Sequence, residues 1–220
     1  RRQRQMCIRD RYPEISKYKD DRLNGGEKRQ LLKDTGALFL TKVGHVALNG
    51  TDNIIISAVV GVLWVGRLSN YTLICDSVTS VLCQITAAIT GSLGNFFATE
   101  DKHAGYALFK KVEFLNFWLY GFSFIALVTL LDPFVQIWAG ERFVLGLPIS
   151  IAIAINFFVA GYMNTLWVFR STIGLFKQGK FRPILVAILN IILSIFLGKL
   201  WGVFGVLFAT FLSRAAISLW

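Results

Sequence analysis

One apolar stretch near the start of the chain carries the polar residues best suited to hold a ligand. They are Lys42, His45, Asn49, Asp52, Asn53 and Ser57. At about 100° per residue on a helix, all six fall within one arc of about 140°. Ionisable groups at membrane depth are costly and normally face a bundle interior or a water-filled path. The pattern predicts the polar wall of a translocation cavity. The alternative is a set of interhelical hydrogen bonds that fix packing, with Lys42 reaching toward the interface.

Lys42 and Asp52 carry opposite charges but are ten residues apart. On a continuous helix this is about 15 Å, so they cannot pair directly and each needs another partner or water. His45 is as consistent with a structural histidine as with one that responds to protons.

Later apolar segments contain a few further polar or reactive residues. Arg170 and Arg214 lie near predicted inner ends, where a guanidinium binds phosphate or anchors the chain at the interface. Asp76 would pair with a basic group or lie near the outer interface. Cys75 and Cys83 share one segment without other soft ligands, so we expect them to act as small apolar residues.

The sequence lacks the motifs of common enzymes. It has no phosphate loop, no HExxH and no nucleophile elbow. Two His and three Cys leave little material for a zinc site or a disulfide framework. No connector is long enough for a catalytic domain outside a membrane. We therefore expect a transporter rather than an enzyme, with no cofactor and no metal.

The composition predicts membrane helices. Of 220 residues, 55% are hydrophobic and 16% are charged, and the mean hydropathy is +0.57. A bilayer-crossing helix needs about 20 mainly apolar residues. Six apolar segments occur, at about 35–65, 69–97, 112–131, 144–169, 183–197 and 202–219. The predicted fold is an all-α membrane protein, a six-helix transmembrane bundle.

Basic residues are distributed unevenly between the connectors. Segment 12–34 and connectors 98–111 and 170–182 hold thirteen Lys and Arg, against three in the opposite connectors. Because cytoplasmic loops are enriched in Lys and Arg, we expect a multi-pass protein of the cell membrane with residues 12–34 in the cytoplasm. Residues 99–111 also look amphipathic, which favours a helix on the inner membrane surface.

The chain begins with an unusual basic stretch that holds five Arg in eleven residues. Residues 6–10 can be back-translated as ATG TGT ATA AGA GAC, which resembles a transposon end used to prepare sequencing libraries. We expect residues 1–11 to be a translated adaptor and the chain to be an internal fragment. The alternative is a real basic arm that binds nucleic acid or anionic lipid.

Two stretches carry a resemblance to a known family. Asn49–Ser57 (NGTDNIIIS) and Val65–Tyr71 (VGRLSNY) resemble the pattern N-x-T-D-N-I-I-I-S … V-G-x-Y-S-N-Y. It belongs to the oligosaccharide flippases, or polysaccharide biosynthesis proteins, of the multidrug/oligosaccharidyl-lipid/polysaccharide exporter superfamily. Leu68 and Asp76 depart from it. Further stretches that fit are 89–95, 114–118, 133–140 and 174–176 before Arg182-Pro183.

The resemblance implies one lobe of a two-lobed flippase, with six helices per main lobe. Residues 35–220 would be the second lobe and 12–34 the cytoplasmic linker between lobes. The implied activity is flipping of a polyprenyl-diphosphate-linked oligosaccharide to the outer leaflet by alternating access. Lys42, His45 and Arg170 would face the headgroup, and Asn49, Asp52, Asn53 and Asn70 the sugars. The implied partners are the lipid-linked oligosaccharide, the bilayer and a missing N-terminal lobe, with no nucleic acid.

Other functions fit parts of the same pattern. A multidrug or cation antiporter would use Asp52 or Asp76 for ion coupling. A peptidoglycan-precursor flippase shares the superfamily architecture. A membrane glycosyltransferase or polymer ligase would need acid or base groups on a sizeable outer loop, and these loops are short.

Overall fold

The computed structural model describes residues 24–99, 102–173 and 181–218 and is helical along nearly all of them. The helices are α1 (Gly25–Val59), α2 (Val62–Thr99), α3 (Lys102–Trp138), α4 (Leu147–Thr172) and α5 (Arg182–Ser218). A short 3-10 turn (Glu141–Phe143) lies between α3 and α4. The chain divides into two units, residues 1–36 and 37–220. The expected adaptor and most of the expected linker lie outside the described residues.

Three stretches of the described helices are long and apolar enough to cross a membrane. They are Ala104–Trp138, Leu147–Arg170 and Arg182–Ile217. This agrees with an all-helical membrane protein. Helices α1 and α2 are also long, at 35 and 38 residues, but several of their side chains lie outside the described residues. The six-helix transmembrane bundle and the flippase lobe therefore stay predictions.

Helix α5 reverses direction at Gly202. This glycine has φ 60° and ψ −137°, a backbone conformation that residues other than glycine avoid. Asn190 Nδ2 lies 2.8 Å from Thr210 Oγ1, whereas twenty residues of straight helix would span about 30 Å. The arms 182–201 and 203–218 are therefore antiparallel neighbours, and they correspond to the fifth and sixth apolar segments.

The other helix boundaries differ from the apolar segments by a few residues. Helix α1 ends at Val59 because the next residues turn, with Gly61 at φ 125° and its N–H bonded to Ile56 O at 2.9 Å. Residues 102–111 are the first turns of α3 rather than a separate surface helix. The Phe109 ring packs edge-on against Phe169 of α4, with ring centroids 4.9 Å apart.

The core lies where the helices of residues 37–220 meet. Its largest fully buried side chains are Ile56, Tyr71, Tyr120, Leu131, Val135 and Val206. Helices α3 and α4 approach closely at Gly161, where an added Cβ would overlap the Tyr120 ring. Asn116 Nδ2 donates to Gly161 O at 3.0 Å beside this contact. Small residues permit such close approach of helices in membranes.

Candidate functional site

The candidate site is a polar cluster that joins α1 to both arms of α5. Asn190 Nδ2 donates to Thr210 Oγ1 at 2.8 Å, and the Thr210 hydroxyl donates to Asp52 Oδ2 at 2.8 Å. Asn190 is fully buried and Thr210 is 3% exposed. The cluster places an acidic group inside an otherwise apolar bundle, where its position is fixed by side chains from a distant part of the chain.

A basic residue lies within electrostatic reach of this carboxylate. Arg214, one turn after Thr210, interacts with Asp52 through its opposite charge. Its Nη1 donates to Asn156 O of α4 at 3.3 Å, and Asn156 Nδ2 donates to Leu207 O at 2.8 Å. Arg214 is thus a half-buried counter-ion of the cluster. This differs from both roles that the sequence suggested for it, phosphate binding at an inner end and interface anchoring.

Three oxygen atoms of the cluster keep an open hydrogen-bonding position. Asp52 Oδ1, Asn190 Oδ1 and Asn156 Oδ1 are buried and have no hydrogen-bond partner among the described residues. Carboxylate and amide oxygens of this kind accept bonds from water or bind a hard cation. The Arg214 guanidinium already supplies positive charge to Asp52, which opposes the entry of a further cation. The arrangement can therefore hold water or a proton, and it ties α1, α4 and α5 together.

The described members of the seven predicted ligand-binding residues lie on three helices, α1, α2 and α4. Asp52 lies in the cluster, whereas Lys42 and Asn53 are exposed on α1. Asn70 lies on α2, where its Nδ2 is 3.4 Å from Gly66 O, and Arg170 is half-buried near the end of α4. His45 and Asn49 belong to α1, but their side chains lie outside the described residues.

A second polar surface, which the sequence reading did not single out, runs along α2. We call it the α2 polar face, and its exposed members are Ser69, Thr72, Asp76, Ser77, Ser80 and Gln84. At about 100° per residue, all six fall within an arc of about 140° on one side of the helix. Thr72, Ser77 and Ser80 donate to carbonyls of their own helix at 2.8–3.0 Å, which leaves acceptor lone pairs facing outward. The signal was present in the sequence, because the polar residues recur at helical spacing in an apolar segment.

The partners of Asp52 were also missed, for a different reason. Asn190 and Thr210 stand singly within runs of apolar residues, and a lone polar residue in such a run is a sign of interhelical hydrogen bonding. That sign indicates that each needs a partner, but it does not identify the partner.

A second, part-buried polar network lies near the start of α4. Asp132 Oδ1 accepts hydrogen bonds from Tyr71 OH at 2.6 Å and from Ser150 Oγ at 2.7 Å. This network joins α2, α3 and α4, and it contains none of the predicted ligand-binding residues.

Comparisons of the chain with models of protein families, with curated proteins and with solved structures found no match.

Proposed function

We propose that this chain is one lobe of a transmembrane flippase that moves a polyprenyl-diphosphate-linked oligosaccharide from the inner to the outer leaflet. The lobe would have six spans, with residues 12–34 in the cytoplasm of a bacterial cell. A diphosphate with sugars cannot cross hydrocarbon unaided, so a hydrated polar surface must shield it while the lipid tail stays in the bilayer.

The observation that carries the proposal is the set of exposed polar side chains on α1 and α2, which stand beside exposed apolar ones such as Val46 and Leu73. Lys42 and Asn53 are exposed on α1, and the α2 polar face is exposed on the next helix. A surface in contact with lipid tails would be apolar, because polar groups in hydrocarbon lack partners. A water-filled path, closed by another lobe, accounts for polar faces in a chain whose other helices suit a bilayer.

Different side chains of this surface would contact different parts of the lipid-linked oligosaccharide. Lys42, with His45 and Arg170, would attract the diphosphate. The amides of Asn49, Asn53 and Asn70 would bond sugar hydroxyls. Asp52 would contribute less to sugar binding, because its Oδ2 is already bonded to Thr210 within the lobe.

The proposal is tested in a bacterium that lacks its own oligosaccharide flippase. The reading frame that contains this chain should restore polysaccharide at the cell surface and deplete the lipid-linked oligosaccharide from the inner leaflet. The Lys42→Ala variant should lose most of this export, whereas Lys33→Ala, a change at an exposed lysine nearer the start of α1, should not. Absence of export by a normally inserted protein would overturn the proposal.

An antiporter coupled to protons is the second candidate, and the Asp52 cluster favours it. A buried carboxylate with an open oxygen, as at Asp52 Oδ1, is the kind of group that takes up a proton during transport. Vesicles carrying the protein would then move a lipophilic cation in exchange for protons, and Asp52→Asn would stop this exchange. Transport of the cation without any effect on polysaccharide export would favour the antiporter over the flippase.

A further inference from the structure

The segment between α3 and α4, residues 139–146, turns the chain from one helix into the next. We call it the connector. Gly140 and Gly146 stand near its two ends at φ 102° and φ 89°, which are conformations that glycine adopts easily. The turn Glu141–Phe143 lies between them, with Glu141 and Arg142 exposed. The backbone hydrogen bonds of the connector are local, such as Phe143 N–H to Gly140 O at 3.0 Å and Ile149 N–H to Gly146 O at 3.1 Å, so its attachment to the bundle depends on side chains.

A single carboxylate oxygen holds the helices on either side of the connector. Asp132 Oδ1, on α3, accepts Tyr71 OH from α2 at 2.6 Å and Ser150 Oγ from α4 at 2.7 Å. These distances are typical of charge-assisted O–H···O⁻ hydrogen bonds, which are about twice as strong as neutral ones. Helices α2, α3 and α4 are thus tied at one point near the connector.

The same tyrosine also holds the connector backbone. Leu145 N–H donates to Tyr71 OH at 2.9 Å, so this hydroxyl accepts from the connector and donates to Asp132. Tyr71 is fully buried, and leaving its hydroxyl or the Leu145 N–H without a partner would be costly. Phe143 and Leu145 also pack against the hydrophobic core around it.

We propose that Tyr71 and Asp132 form a latch that keeps the connector closed against the bundle. With the latch closed, the connector and the adjacent ends of α2, α3 and α4 move as one body. Opening the connector requires that the Tyr71 hydroxyl give up the Leu145 N–H. This latch does not depend on the proposed function, since it rests only on the contacts of Tyr71 with Asp132 and Leu145.

The latch is tested by the reactivity of a thiol placed in the connector. In the full chain in lipid nanodiscs, with its own cysteines replaced by alanine, Val144→Cys serves as the reporter for a maleimide. Tyr71→Phe removes only the hydroxyl and should raise the labelling rate about tenfold, which corresponds to about 1.4 kcal/mol, a typical loss for one such bond. Asp132→Ala should act in the same direction. Tyr106→Phe, a matched change at an exposed tyrosine of α3, should leave the rate unchanged.

A distance measurement gives a second readout that does not depend on reagent access. Spin labels at Arg142 and Leu73 should show a narrow distance distribution in the parent chain and a broad one in Tyr71→Phe. Circular dichroism checks that each variant is folded, and Ser150→Ala replaces Asp132→Ala if the latter does not fold. The proposal fails if position 144 in the parent reacts as fast as an exposed thiol at position 137. It also fails if folded Tyr71→Phe leaves both the rate and the distribution unchanged.

Discussion

Thr210 holds the Asp52 cluster together, because its one hydroxyl serves both neighbours. It donates to Asp52 Oδ2 and accepts from Asn190 Nδ2, each at 2.8 Å. Replacing it by valine keeps the shape but removes the hydroxyl that bonds the Asp52 carboxylate and the buried Asn190 amide. We expect Thr210→Val to lower the free energy of unfolding by about 1–3 kcal/mol, measured by thermal or denaturant unfolding in detergent.

Two controls separate the hydroxyl from the change in size. Thr210→Ser keeps the hydroxyl and should cost much less. Thr129→Val changes an exposed threonine that bonds only to its own helix, at Ile125 O and Ala126 O. Equal losses in Thr210→Val and Thr129→Val would show that the cluster adds no stability.

Gly161 is the second residue where one change should have a clear effect. An added Cβ would overlap the Tyr120 ring, and that ring is 1% exposed, so it has little room to move. We expect Gly161→Ala to lower the free energy of unfolding by about 1–3 kcal/mol, as overpacking does. Gly66→Ala, on the exposed side of α2 with nothing near its Cβ, should be neutral or slightly stabilising. A stable Gly161→Ala would mean that α3 and α4 can separate at this point without cost.

At the scale of elements, the reversal of α5 depends on one backbone conformation. Gly202 at φ 60° and ψ −137° lies where a Cβ is strained, although it would meet only Val60 Cγ1, at 3.9 Å. We expect Gly202→Ala to cost about 1–3 kcal/mol and to loosen the contact between the arms. The measurement is the yield of a disulfide between cysteines at positions 190 and 210. Gly36→Ala, at a glycine with a helical backbone and open space around its Cβ, is the control and should not lower the yield.

The existence of the elements could be predicted because long apolar runs must be helical in a membrane. The boundaries could not, since Gly61 ends α1 within a run of apolar residues and only its positive φ marks the turn. The pairing of Asp52 with Thr210 was beyond one sequence for a related reason. It depends on how far α1 is shifted along α5, and this shift is set by contacts such as Gly44 against Pro183, where an added Cβ would lie 2.7 Å from the proline.

At the scale of the whole molecule, the distribution of charge predicts its orientation. Thirteen of the Lys and Arg outside the first eleven residues fall on one predicted side and three on the other. In intact cells, a cysteine at Arg142 should react with a membrane-impermeant maleimide. A cysteine at Lys110 should react only after permeabilisation. The reverse pattern, or reaction at both positions, would contradict the predicted topology.

The bond between Asp52 and Thr210 also has a consequence for the order of biosynthesis. The two residues are 158 positions apart, so the ribosome needs roughly 8–30 s after making Asp52 before it makes Thr210. Throughout this interval the carboxylate of α1 has neither its hydroxyl partner nor its arginine. An acidic group that is buried without its partners is costly, which favours contact of this side chain with water until they arrive. The packing of α1 against α5 is therefore a late event, completed only after the second arm of α5 has been made.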